Sequence, residues 1–105
     1  MSTSFYSLQI KSIEKTTADA VCIEFDVPEI LQSNFNFEAG QYLTLKAHIN
    51  GVETRRSYSL CSAPSSKTWK VGIKKVTNGL FSSFANDELK VGDSLEVMPP
   101  MGKFK

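Results

Sequence analysis

Tyr42-Leu43-Thr44-Leu45-Lys46-Ala47-His48-Ile49-Asn50-Gly51-Val52-Glu53-Thr54-Arg55-Arg56-Ser57-Tyr58-Ser59-Leu60 reads as two strands folded back on one another. Asn50-Gly51 is the hinge, because both central positions of a type I′ turn need φ > 0 and this pair adopts it readily. A two-residue turn fixes the register, so that Leu45 faces Arg56 and Leu43 faces Tyr58. That pairing contains a conflict. A guanidinium would share a face with core leucines, and an unpaired buried charge is too costly to persist. Either a bulge slips the register, or this end of the second strand leaves the core and faces a ligand. The plain alternative is an arginine that reaches solvent along its own stem. Conflicts of this kind concentrate at functional sites.

Strand patterning extends outward from the hairpin. In Ala20–Val27, Val21, Ile23, Phe25 and Val27 alternate with Cys22, Glu24 and Asp26, the period of a sheet with one buried face. Phe5–Ile13 places Tyr6, Leu8 and Ile10 on one face, with Ile13 out of phase as at a bulge. Pro28 stops the second strand, and Glu29–Gly40 is a long connection that Phe35 and Phe37 tack down. Thr68–Val76 and a short Ser94–Met98 complete five or six strands with short, mostly antiparallel links. Phe81, Phe84, Ala85 and Leu89 fall on one helical face, with Gly92 as its stop. The pattern implies a small closed or nearly closed barrel, without the alternating strands and helices of a parallel nucleotide-binding sheet.

The 105 residues are 41% hydrophobic, 22% charged and 10% aromatic, as in one globular domain. No apolar run approaches the roughly 18 residues of a membrane span, and Met1–Tyr6 lacks the regions of a secretory signal. A formal charge of +1 argues against a protein that coats polyanions. The charge is uneven. Residues 1–53 carry three bases and seven acids, and residues 54–105 nine bases and four acids, so an anionic ligand more readily meets the second half. Two cysteines, Cys22 and Cys61, and the one histidine, His48, fall short of a protein zinc site. Without a secretion signal the cysteines read as free thiols in the cytoplasm, and Cys61 as a small hydrophobe rather than a redox group. His48, opposite Glu53, reads as half of a surface cross-strand pair.

Arg56-Ser57-Tyr58-Ser59 resembles the Arg-x-Tyr-Ser/Thr flavin motif of the ferredoxin–NADP reductase family. It follows Gly40-Gln41-Tyr42 and precedes Gly79-Leu80-Phe81-Ser82. A third element, Pro100-Met101-Gly102-Lys103-Phe104, resembles the Gly-Pro-x-Gly-x-Phe signature that closes the family's flavin domain. Three elements in order at suitable spacing carry the resemblance over nearly the whole chain. Val97-Met98-Pro99-Pro100-Met101-Gly102 points to reductase components of phenylacetate-degrading and related oxygenases. Ala39 and Pro99 stand where many members have Pro and Gly, departures that concern turn chemistry.

The resemblance implies an all-β fold, a six-stranded antiparallel Greek-key barrel with one capping α-helix, that binds FAD, with FMN as the lesser alternative. Tyr58 offers a flat face suited to stacking on the isoalloxazine, and Arg56 a planar fork for the diphosphate. Ser59 is assigned the hydrogen bond to flavin N5. Asn78-Gly79 permits a tight turn into the helix, whose first groups at Leu80, Phe81 and Ser82 would meet the pyrophosphate. Ser82 also reads as an ordinary N-cap. Gly72, Ile73 and Lys74 align with a segment that contacts the ribose and adenine side, largely by backbone; Lys74 and Lys75 otherwise read as a solvated pair.

The sequence holds no Gly-rich dinucleotide fingerprint and too few cysteines for a [2Fe–2S] cluster. The expectation is that residues 1–105 form the FAD-binding domain of a longer NAD(P)H-dependent oxidoreductase. Its NAD(P)-binding domain would lie elsewhere in the parent chain, with a ferredoxin-like or oxygenase iron–sulfur acceptor as partner. The isolated domain is then not a competent enzyme. The rival reading is an OB-like barrel that binds single-stranded nucleic acid or serves as an interaction module. Against it, the aromatics outside Tyr58 and Trp69 sit mostly at core-like positions.

Overall fold

In a computed structural model, which describes residues 4–76 and 79–102, six antiparallel strands form one sheet. They are β1 (Tyr6–Thr17), β2 (Ala20–Asp26), β3 (Tyr42–Ile49), β4 (Val52–Ser59), β5 (Trp69–Lys74) and β6 (Ser94–Met101), in the spatial order β4-β3-β6-β1-β2-β5. One helix, α1 (Leu80–Asp87), packs on β3, β4 and β5. This is the all-β, six-stranded architecture with one capping helix that the sequence implies. The two ends of the order, β4 and β5, meet at one bridge among the described residues, Leu60↔Val71. The Cys61 N–H continues the contact to the Lys70 carbonyl at 2.9 Å. The sheet therefore curls nearly closed and leaves a seam.

The hairpin forms as its turn residues dictate, with φ of 53° at Asn50 and 79° at Gly51. Pairing runs without a slip from Ile49↔Val52 to Tyr42↔Ser59. In β1 the register shifts between Ile10 and Ser12, which brings Ile13 opposite Ile23, so the phase break in the sequence is a bulge. The alternating apolar positions all turn inward. Ile23, Leu43, Leu45, Val71, Ile73 and Val97 have no exposed surface.

The connection after Pro28 contains a 3-10 helix (Glu29–Phe35), and Phe35 and Phe37 anchor it in the core. Phe35 meets the Tyr6 ring edge-on with centroids 5.8 Å apart. Its carbonyl accepts the buried Trp69 indole N–H at 2.7 Å. Trp69 is thus core, contrary to its reading as a free aromatic, because that partner lets the indole be buried without losing its hydrogen bond.

Two ends differ from the sequence reading. The helix stops at Asp87, where the Glu88 N–H bonds the Phe84 carbonyl. Gly92 is not its stop. With φ of 94° it turns the chain into β6, donating its N–H to the Ile10 carbonyl at 2.9 Å. β6 runs on to Met101 through Pro99-Pro100, which lack N–H donors, and the ladder with β3 shifts register between Tyr42 and Thr44 to pass them. Asn78 of the expected turn, and Lys103 and Phe104 of the closing signature, lie outside the described residues.

Replacing Trp69 with Phe keeps an aromatic ring but strands the Phe35 carbonyl. The expected loss is about 1–3 kcal/mol of stability, read as a lower urea midpoint with an unchanged slope. A midpoint equal to the parent's would show that the bond contributes nothing.

Candidate functional site

The inward face of β4 changes character along its length. Thr54 is buried, Arg56 exposed, Tyr58 half-buried, and Leu60 buried again. Because the register is regular and Leu43 and Leu45 have no exposed surface, the conflict in the hairpin resolves by exit from the core, not by a bulge. The Arg56 guanidinium donates to the Arg55 carbonyl at 2.6 Å and enters no ion pair among the described residues. Arg55, on the other face, is engaged: its Nε lies 2.9 Å from a Glu53 carboxylate oxygen, and its guanidinium stands 5.1 Å from the centre of the Phe5 ring.

Ser57 spends its hydroxyl on Thr44 at 2.9 Å, so its peptide group is what it can offer a ligand. Ser59 is exposed on the outer face, opposite Tyr42 and away from the Tyr58 side. Peptide direction follows from two bonds. The Leu60 N–H points to β3, onto the Gln41 carbonyl, while the Cys61 N–H points to β5, onto the Lys70 carbonyl. Strand alternation then turns the peptide groups of Ser57 and Ser59 toward β5, and those of Gly72 and Lys74 toward β4. The Leu60↔Val71 bridge, a pair whose Leu60 N–H is turned to β3, takes up the Ser59 carbonyl and the Gly72 N–H; from there toward Ser57 and Lys74 no further bridge joins the two strands among the described residues. Two lips of main-chain donors and acceptors flank the seam, the arrangement of an unpaired sheet edge.

On the β5 lip, a Cβ built at Gly72 would meet nothing within 4 Å, so the backbone is open to close approach. Ile73 puts its side chain in the core and its peptide group toward β2, with its carbonyl also accepting the Asn86 side-chain amide at 3.1 Å, so it offers the seam no polar group and serves to hold the strand. Lys74 is exposed. Lys75 is not half of a solvated pair, since its Nζ bonds an Asp87 carboxylate oxygen at 2.8 Å.

The helix start lies beneath Tyr58. Gly79 is the N-cap residue, and no side chain caps its end of α1. A Cβ at Gly79 would stand 2.5 Å from the Ser82 Oγ and 2.9 Å from the Val76 carbonyl, so the turn has no room for a side chain. Ser82 is therefore not the N-cap that its sequence position suggests. Its buried hydroxyl accepts the Val76 N–H at 3.0 Å and fastens the strand end to the helix. Phe81 is buried, with its ring centroid 5.9 Å from that of Tyr58, and supports the tyrosine from below. Leu80 is partly exposed, at 39%. Burial pushes the Tyr58 phenol above its ordinary pKa, with the Arg56 charge pulling the other way, so the ring stays a neutral phenol at neutral pH.

The flanking motifs converge on the same end of β4. Gln41 accepts the Glu38 N–H with Oε1 at 2.8 Å and donates Nε2 to the Gly102 carbonyl at 2.9 Å, while its own carbonyl takes the Leu60 N–H. Gly102 has φ of 113°, and a Cβ there would sit 3.0 Å from the Tyr42 ring. Arg56–Ser59, Gly72–Lys74, Leu80–Ser82, Gly40–Tyr42 and Gly102 thus border one region. Sequence reading missed one pair: the Cys22 and Cys61 thiols lie 3.9 Å apart. No local signal could have found it, since their meeting depends on where β5 lies.

Known proteins share this arrangement. The sequence pattern of the oxidoreductase FAD-binding domain matches residues 7–105. The chain is 43% identical to a subunit of 1,2-phenylacetyl-CoA epoxidase from Escherichia coli over 102 residues, 97% of this chain and 29% of that protein. It is 35% identical over 99 residues to the ferredoxin reductase component of a 3-ketosteroid-9-alpha-monooxygenase from Rhodococcus rhodochrous, covering 92% of this chain and 28% of the relative. Phthalate dioxygenase reductase, a structure described as modular for electron transfer from pyridine nucleotides to [2Fe–2S], superimposes with a TM-score of 0.76 at 30% identity, over 96% of this chain and 31% of that one. The flavohaem-like FAD/NAD-binding domain of a Vibrio cholerae nitric oxide dioxygenase shares the fold with a TM-score of 0.83 at 22% identity, over 96% and 45%. The match over residues 7–105 and the seam that β4, β5 and α1 enclose lead to one assignment: the chain belongs to the oxidoreductase FAD-binding domain family.

Proposed function

We propose that the seam between β4 and β5 holds FAD, and that the chain is the flavin module of an NAD(P)H-dependent reductase. The observation that supports this most directly is the pair of open main-chain lips, at the Ser57 peptide group and the Ser59 N–H on one side and the Gly72 carbonyl and the Lys74 peptide group on the other. Among the described residues they stand beside an arginine without a carboxylate partner and a helix start without a side-chain cap. These groups suit an anionic, extended ligand. Arg56 takes the diphosphate as a planar fork, and the first N–H groups of α1, at Leu80, Phe81 and Ser82, add orphan donors and the helix's positive end. Gly79 lets that turn close, and Gly72 and Lys74 meet the ribose and adenine side through their backbone, while Ile73, whose peptide group pairs with β2, holds the strand that carries them.

Tyr58, braced by Phe81, presents its ring to the isoalloxazine, and the Ser59 N–H, which is turned to the seam while its hydroxyl lies on the outer face, serves the N5 edge. FAD supplies the two-electron to one-electron redox chemistry when bound; the chain supplies binding, orientation and tuning. The chain spans 29% of the epoxidase component and 28% of the ketosteroid reductase component. The nicotinamide site, the NAD(P)-binding domain and a ferredoxin-like or oxygenase iron–sulfur acceptor are accordingly assigned to parts of the system outside these residues. An oxygenase of phenylacetate-like aromatic degradation is the context that the 43% relative favours. Cytoplasmic work suits the two free thiols. No helix among the described residues is long and apolar enough to cross a membrane. The nucleic-acid reading loses its support, because Trp69, one of its two free aromatics, is buried.

Arg56→Ala is expected to weaken FAD by roughly 1.5–3 kcal/mol, the worth of charged hydrogen bonds, while riboflavin, which has no phosphate, loses little. Calorimetric titration with both ligands tests this, and equal losses would remove Arg56 from the diphosphate. FMN in the same series separates one phosphate from two.

Tyr58→Ala should reduce flavin affinity by about 1–3 kcal/mol and Tyr58→Phe by far less, by analogy with base–aromatic stacking. Flavin fluorescence titration reads both. An alanine variant with parental affinity would refute the stacking assignment.

A further inference from the structure

The outer face of the barrel brings together two groups that the flavin site does not use. Cys22 on β2 and Cys61 after β4 hold their Sγ atoms 3.9 Å apart. β5 runs between them. Cys22 is in register with Gly72, and the Cys61 N–H bonds the Lys70 carbonyl on the far side of the strand. Gly72 has no side chain, and the space a Cβ would enter is clear to 4 Å, so the strand interposes no side chain at the position opposite Cys22. Cys61 is exposed and Cys22 partly so.

The intervening strand decides which chemistry fits. Two strand spacings place the flanking backbones about 9.5 Å apart. A disulfide needs Cα atoms within about 7 Å and sulfurs at about 2.05 Å, and is reached here only by moving a strand. Two sulfur–metal bonds of about 2.1–2.3 Å span about 3.8 Å at a tetrahedral angle and about 4.3 Å when nearly collinear, as at a two-coordinate ion. The present 3.9 Å lies within that range, and the collinear arrangement needs the sulfurs to part by only a few tenths of an ångström. No third Cys, His, Asp or Glu among the described residues completes a cluster, which disfavours ions that require four protein ligands. Soft thiolates in low coordination number select soft monovalent cations.

We propose that Cys22 and Cys61 form a two-thiolate site for a soft monovalent cation of the copper(I) class. Each sulfur exchanges its proton for a bond to the ion, the protons pass to solvent, and no oxidation state changes. Burial, then the Cys61 thiol, raise the proton affinity of Cys22, against the pull of Lys70, and the cation takes the proton's place. The ion would tie β2 to the residue two positions beyond Ser59, bracing the end of β4 across β5.

The test is anaerobic titration of the reduced chain with Cu(I) held by bicinchoninate, with circular dichroism as the check on folding. The expected result is one Cu(I) per chain with a thiolate-to-copper ultraviolet band. Cys22→Ser and Cys61→Ser should each weaken it at least ~100-fold, the usual gain from two linked contacts. Cys61 is exposed, so its variant decides the matter if Cys22→Ser fails to fold. The proposal is overturned if no Cu(I) leaves bicinchoninate, if a single-cysteine variant keeps the parental affinity, or if two ions bind and each variant removes one. Mild oxidation with diamide that joins both thiols within the folded chain, with no copper uptake before it, would identify a disulfide pair instead.

Discussion

Leu60↔Val71 is the contact on which the rest of the molecule turns, because it is where the curled sheet closes and where closure stops. A complete β4–β5 ladder would satisfy the peptide groups of Ser57 and Lys74, the Ser59 N–H and the Gly72 carbonyl as well, and would seal the seam between the two strands. Without the bridge, β4 would be a free edge and Tyr58 would lose its position over Phe81. One bridge, made by the Cys61 to Lys70 hydrogen bond on one flank and the Gly72 N–H with the Ser59 carbonyl on the other, holds the lips at the spacing of a sheet while leaving the main-chain groups beyond it, at Ser57 and Lys74, available. Unmade hydrogen bonds are tolerable there only because the seam is open to water or ligand.

Rigidity comes from both sides of that seam. Gln41 bonds three segments at once, fixing the Gly40–Tyr42 turn to Glu38, to Leu60 and to Gly102. On the other side, the Ser82 hydroxyl and the tight fit at Gly79 fasten α1 to the end of β5. These contacts involve residues that a motif reading treats as ligand contacts. The structure gives several of them a prior duty in shaping the turn. Their side chains hold the scaffold and their main-chain groups face outward. Binding through backbone groups is compatible with this for Phe81, which is buried at the helix start where main-chain N–H groups are unclaimed by the helix; Ile73 instead turns its peptide group to β2 and its carbonyl to Asn86, and holds the strand that carries Gly72 and Lys74.

The strands were legible because period-2 alternation and the Asn50-Gly51 turn are local signals, and each apolar position of β2 and β3 needed only its own neighbours to be placed. The region of the site was legible because the Arg56–Ser59 conflict is visible within one hairpin. What failed depended on distant partners. Leu89 packs against the core from just beyond α1, whose last turn closes with the Glu88 and Leu89 N–H groups on the Phe84 carbonyl, and Gly92 then meets the Ile10 carbonyl on β1. Trp69 looked free because its hydrogen-bond partner, the Phe35 carbonyl, lies 34 residues away. The thiol pair required knowing that β5 separates β2 from the end of β4.

Charge on the hairpin is sorted by the same alternation that sorts its apolar residues. Arg55 and Arg56 are neighbours with identical chemistry, yet the pleat sends them to opposite faces. On the outer face Glu53 neutralises Arg55, and the Phe5 ring covers it. On the face that leaves the core, Arg56 bonds its neighbour's carbonyl and pairs with no carboxylate among the described residues. A cation this close to a half-buried tyrosine raises local attraction for anions, and the excess of bases after residue 53 adds to the same field. Had the strand carried its charge at 55 alone, the seam would keep its hydrogen-bonding lips but lose its preference for a phosphate-bearing ligand. The adjacent pair therefore separates two tasks: one arginine secures the hairpin surface, and the other is left free to bind.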